Sequence, residues 1–208
     1  MSAGSVLKDR EELLDVLTYS LPCLTLEQIA RTAFGHAEDH VGAANRWVGR
    51  LESKGRVRRM RVPIHPEISV RIPLHVHSPG KSPPDFGKLA WKVKSRWKLP
   101  PVMATLVSAS SKPRRGKGQS EYGRTIRLRN ATHDVHLGAV LLALAEDDAE
   151  AACSWVLEPH VEGSAFMKVP DALVMTPEPV FIEFVGSYSE RKLRSLFDDM
   201  QSHSFRWY

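Results

Sequence analysis

The chain has 208 residues, 42% of them hydrophobic and 25% charged, with a formal net charge of +5; this composition excludes intrinsic disorder. It holds no apolar run of the roughly twenty residues that a membrane-spanning helix needs. The opening MSAGSVLKDREELLDVL lacks the apolar core and small-residue cleavage site of a signal peptide, so a cytoplasmic protein is expected.

Taken in chain order, Leu13, Leu14, Val16 and Leu17 follow the acidic start Asp9, Glu11 and Glu12 and predict a helix over 9–19, closed by Pro22. Cys23 and Cys153 lie far apart in no C-x-x-C pair, which supports neither a zinc site nor a disulfide framework. Thr25-Leu-Glu-Gln28 is a capping box that opens a second helix to about Phe34, stopped at Gly35. A third helix is expected over 37–53, with Val41, Ala44, Val48 and Leu51 inward and Gly55 at its end. The runs Arg56 to Val62 and Ile68 to Val76 flank Pro63, His65 and Pro66 and predict a β-hairpin. Asp85 to Trp97 predicts a fourth helix, packed on that hairpin or forming a dimer contact. Residues 99–131 are expected to be a basic linker, with a strand at 102–108, the loop SSKPRRGKGQS and a strand near 125–129. A helix over 133–145 then precedes strands at 152–157, 172–175 and 180–185. Ser187-Tyr-Ser-Glu190 caps a last helix, and SFRWY is a candidate fourth strand. Within 133–136, His-Asp-Val-His is explained by a helix N-terminus with Asp134 near the cap.

Charge divides the chain. Arg50, Lys54, Arg56, Arg58, Arg59 and Arg61 crowd one stretch against Glu52, whereas acids outnumber bases from Asp134 onward. Three helices followed by an arginine-rich hairpin form the order of a winged helix-turn-helix, expected over 1–98. Its recognition face would present His40, Asn45, Arg46 and Arg50, with Arg46 the residue to fork onto guanine. Arg56, Arg58, Arg59, Arg61 and Arg71 would neutralise phosphates from the wing. The alternative for the same features is a tri-helical protein-contact module whose arginines form a solvated face.

Residues 132–208 predict a small α+β domain of order αβββα, in which Glu158, Asp171 and Glu183 are strand-borne carboxylates able to converge on a divalent metal. Pro170-Asp171 followed by Phe181-Ile-Glu183 resembles the PD-(D/E)xK nuclease core. That resemblance implies Asp171 and Glu183 as Mg²⁺ ligands and catalytic acids, with Glu158 accessory. Val185 stands where that core has its lysine, and Lys168, Arg191 or Lys192 are the substitutes at hand. The structural alternative is that Glu158 caps a turn and Asp171 bonds a loop. Glu183 is harder to set aside, because a carboxylate within VFIEFV needs a compensating partner.

A wider resemblance covers most of residues 10–202. Three helices and a basic hairpin, then Thr132-His-Asp134, a strand with Trp155 and Glu158, Val169-Pro-Asp-Ala172 and Phe181-Ile-Glu183, are similar to the replication-relaxation family of plasmid, phage and other mobile-element proteins. It implies a DNA-binding accessory of replication, mobilisation or transcription with a degenerate nuclease-like domain, needing no cofactor. Double-stranded DNA is the expected partner, a homodimer the expected assembly, and a Mg²⁺-dependent endonuclease the alternative. The nuclease-like core normally continues past SFRWY, so either the domain is minimal or the chain is truncated at Tyr208. A protein-binding module in a repair or defence complex is a third expectation.

Overall fold

A computed structural model describes residues 9–110, 128–157, 169–175 and 177–208. The elements are α1 (Arg10–Asp15), running on as a π-helical turn (Val16–Ser20), β1 (Leu24–Thr25), α2 (Leu26–Phe34), α3 (His40–Ser53), β2 (Val57–Ile64), β3 (His75–His77), α4 (Phe86–Ser95) and β4 (Val102–Ala109). A 3-10 turn (Leu128–Asn130) leads into α5 (Ala131–Asp147), followed by α6 (Ala149–Cys153), β5 (Trp155–Leu157), β6 (Ala172–Met175), β7 (Pro179–Glu183), α7 (Glu190–Met200) and β8 (Ser204–Trp207). The protein is thus α+β. Among the described residues no helix is long and apolar enough to cross a membrane.

Two compact units form, and each takes two pieces of the chain: residues 1–65 with 101–138, and residues 66–100 with 139–208. Contiguous blocks at 1–98, 99–131 and 132–208 are therefore not how the contacts divide. The reason is strand pairing. β2 pairs antiparallel with β4 over eight residues, Val57 opposite Ala109 through Ile64 opposite Val102, not with the neighbouring 68–76 segment. Residues 99–131 accordingly contain a full strand, and the expected hairpin does not form. Of the 68–76 segment only its end enters a strand, β3, which pairs with β8.

In the first unit α1, α2 and α3 accompany a three-stranded sheet of order β1-β4-β2. The capping box forms as the spacing demands: Gln28 N–H donates to Thr25 Oγ1 at 3.0 Å, and Thr25 N–H donates to Gln28 Oε1 at 2.9 Å. The Gln28 amide also donates to the Val135 carbonyl at 2.9 Å, tying α2 to α5. Gly55 ends α3 region backbone at φ 65, a left-handed value that suits a residue without Cβ. Pro63 sits in β2, which is an edge strand and tolerates a missing N–H. Cys23, Val62, Ile64, Ala104, Leu106, Ala131 and Val135 close the apolar layer beneath the sheet. Burial, and secondarily the charge of Asp134, pushes the Cys23 thiol far up, which keeps it an inert apolar filler.

The second unit holds a five-stranded sheet of order β3-β8-β7-β6-β5. β5, β6 and β7 form an antiparallel meander; α7 then carries the chain over so that β8 runs parallel to β7. The terminal SFRWY thus supplies a strand. α4, expected on the hairpin, packs instead on α7, and Phe86, Leu89, Val93, Leu193, Phe197 and Met200 cover Phe181, Phe205 and Trp207. The α-then-three-strands-then-α order expected for 132–208 is present, with the short α6 added before β5.

Candidate nucleic-acid interface and carboxylate pair

On α3, Ala44, Trp47, Val48 and Leu51 are buried. Val41, expected inward, is 41% exposed, because Trp47 takes the core position and packs its ring 5.9 Å from Phe34. The helix begins at His40, not at 37, since Asp39 is its N-cap: Gly42 N–H donates to Asp39 Oδ1 at 2.9 Å. This cap folds back so closely that a Cβ on residue 42 would lie 1.9 Å from Asp39 Oδ2, which is why glycine stands there. The same Oδ2 receives Arg46 Nη1 at 3.3 Å. His40, Asn45, Arg46 and Arg50 all lie exposed on the outward face.

Alternation along β2 puts Val62 and Ile64 inward and Arg59, Arg61 and Pro63 outward. Arg59 links strand to helix. Its Nη1 donates to Asn45 Oδ1 at 2.8 Å, and its Nε and Nη2 donate to Glu52 Oε2 at 2.8 and 2.5 Å. Hydrogen bonding from the Arg59 side chain holds the Glu52 carboxyl below its ordinary range. Arg58 is half-buried and donates to Ser108 Oγ at 3.3 Å, so it serves the sheet more than the surface. Arg56 is exposed, 3.9 Å from Glu11. Arg46 and Arg50 on α3, Arg56 in the turn after it, and Arg59 and Arg61 on β2 thus lie exposed within one unit. Arg71 does not join them: it belongs to the second unit, where Nη2 donates to Glu146 Oε2 at 2.6 Å. Its placement on a wing fails because the hairpin that would have carried it there does not form.

In the second unit the β6–β7 register, with Ala172 opposite Ile182, brings Asp171 opposite Glu183 at the next step. Asp171 Oδ2 accepts the Phe184 N–H at 2.8 Å, and Glu183 is only 2% exposed. Tyr188 lies near both: its phenol is pushed up by burial, then by the charges of Glu183 and Asp171. Lys192 is exposed, with Nζ 3.4 Å from the centroid of the Tyr188 ring, and Arg191 is exposed beside it. Glu158 and Lys168 lie outside the described residues.

Sequence reasoning missed Arg96. From the end of α4 it donates through Nη2 to the Val185 carbonyl at 3.1 Å and stands 6.0 Å from the Phe184 ring, and burial lowers its guanidinium to about 10. A cation therefore sits beside the position where the nuclease resemblance would put lysine, supplied from 89 residues away in the chain. No local motif signals it; the packing of α4 on α7 brings it there.

The carboxylate pair fits Mg²⁺ poorly. That ion retains several waters in a strict octahedron, whereas Glu183 is nearly closed to solvent and Asp171 has one oxygen committed to backbone. Among the described residues no group of three or more His, Cys, Asp or Glu side chains converges as a metal site.

Neither a family model, nor a curated protein, nor a solved structure matches the chain.

Proposed function

We propose that this is a duplex-DNA-binding protein that reads sequence through α3 and grips phosphates from β2, a non-cutting accessory of a mobile element. The observation that carries it is the set of five exposed arginines of one unit, Arg46 and Arg50 on α3, Arg59 and Arg61 on β2, and Arg56 in the turn that joins them. The order α1-β1-α2-α3-β2-β4 with sheet order β1-β4-β2 supports a winged-helix reading of that unit. In it, β4 takes the part expected of the hairpin's return strand, and the segment between β2 and β4 carries α4 into the other unit.

Arg46 reads base edges in this account. Its pair with Asp39 is fully surface-exposed, at 64% and 67% side-chain exposure, so releasing it costs at most about 1 kcal/mol. A bidentate guanine contact discriminates by about 1–3 kcal/mol, enough to outweigh that cost. Selection among random duplexes with the wild type and Arg46→Ala tests this. The variant retains binding and loses preference at one base pair; unchanged selectivity would remove Arg46 from the role.

The second unit supports a nuclease-like fold that holds its carboxylates as internal braces. Asp171 closes on the Phe184 amide and Glu183 is enclosed with Tyr188, an arrangement suited to joining β6, β7 and the start of α7. The rival reading, a Mg²⁺-dependent endonuclease, draws on Asp171 standing opposite Glu183. Supercoiled plasmid incubated with Mg²⁺ or Mn²⁺ separates the two: it stays supercoiled with both the wild type and Asp171→Ala. Cleavage by the wild type that the variant loses would establish the endonuclease.

A further inference from the structure

α4 buries Phe86, Leu89, Ala90 and Val93, which at 100° per residue define one face against the second unit's core. The opposite face holds Lys88, Trp91, Lys92 and Ser95, with Lys94 at its margin and Lys98 just past the helix end. Trp91 is 74% exposed and the Lys88 side chain 87%; Lys92, Lys94 and Lys98 are exposed as well. The two neighbours at the C-terminal end behave differently. Arg96 is bound to the Val185 carbonyl, and Trp97 packs edge-on against Phe184 with centroids 6.1 Å apart. The helix is thus anchored while its one outward indole stays in water.

We propose that this face of α4 binds single-stranded DNA, with Trp91 stacking on an unpaired base and Lys88, Lys92, Lys94 and Lys98 holding the flanking phosphates. Four lysines around one indole match a polyanion carrying planar rings. Stacking on an aromatic residue together with a cationic track is how single strands are held without base-edge readout. A duplex offers no free base face to Trp91, so the ligand is unpaired. Two acids border the face, Asp85, 3.4 Å from Lys88 Nζ, and Glu190, near Gly87; both lie at its N-terminal end, and among the described residues no ion pair holds Lys92, Lys94 or Lys98. An anionic membrane is the less suitable partner. Interfacial helices insert a broad apolar face, and here the apolar face is already consumed by the core. The choice of DNA over RNA rests on the reading of the first unit; the site does not.

The test is fluorescence anisotropy of the full chain with a short, unstructured oligothymidylate, beside a duplex. Trp91→Ala weakens oligothymidylate binding about tenfold while leaving duplex binding as it was, and Trp91→Phe restores most of the loss. Exchanging Lys92 and Lys94 for Glu weakens it further and flattens its salt dependence. Arg46→Ala leaves oligothymidylate binding unchanged, so failure of the duplex reading and failure of this site are separable. The proposal is overturned if Trp91→Ala binds oligothymidylate like the wild type, if the matching oligouridylate binds tighter, or if phosphatidylserine vesicles capture the protein through Trp91 while oligothymidylate does not.

Discussion

Arg59 serves the fold and, under the proposed function, the DNA as well. It is bonded to Asn45 and twice through its side chain to Glu52, and it couples β2 to α3. The same bonds occupy the groups that a phosphate would need. An exposed ion pair contributes about 0.2–1 kcal/mol, so Glu52→Gln should release Arg59 and raise duplex affinity two- to fivefold at low salt. Titration of one duplex with both proteins checks it; weaker binding by the variant would mean that Glu52 holds Arg59 in its DNA-competent pose. Asp39 plays a similar double part as N-cap and partner of Arg46, but its removal would also cost the helix its cap.

At the scale of elements, the features legible in sequence were those written in local chemistry. Thr25 and Gln28 announced α2, Gly55 the end of α3 and SFRWY the strand β8; α7 was expected too, but its cap is Ser189 and not the Ser187 of the expected capping box. What was not legible was pairing at a distance. Arg56 to Val62 was expected to pair with the next strand-like run, yet β2 (Val57–Ile64) pairs residue for residue with Val102–Ala109 across 37 intervening positions, and the nearby run, Ile68 to Val76, follows Pro66 and contains Pro73. Everything dependent on that pairing moved with it: Arg71, α4 and Arg96. β3 also carries its own pH dependence. His77 stacks on Phe205 with centroids 4.8 Å apart, its Nε2–H donating to the Gln201 carbonyl, and His75 lies 5.6 Å from the Trp207 ring. Burial, then the neighbouring His77, lowers the His75 pKa below 6.5. An imidazole depressed in the folded state takes up protons preferentially when unfolded, so its contribution is complete above about pH 6.5 and is lost as pH falls through the folded value. Urea midpoints should drop between about pH 7.5 and 5, and drop less in His75→Phe; equal drops would place the acid sensitivity elsewhere.

For the molecule as a whole, duplex binding is proposed for the first unit and single-strand binding for α4 in the second. The two surfaces come from segments that the chain interleaves, since α4 is spliced between the paired strands β2 and β4. Loss of β4 would therefore remove the partner of the arginine strand while leaving α4 and α7 their own core. The central claim is the arginine surface, and the salt dependence of duplex affinity measures it most directly. With Arg50, Arg56 and Arg61 each neutralising one phosphate at about 0.9 per contact, and Arg59 a fourth once it leaves Glu52, the logarithm of affinity should fall against the logarithm of salt with a slope of about −3 to −4. Arg50→Ala should make that slope shallower by about 1. A slope near zero, or a slope that Arg50→Ala and Arg61→Ala both leave unchanged, would contradict the account.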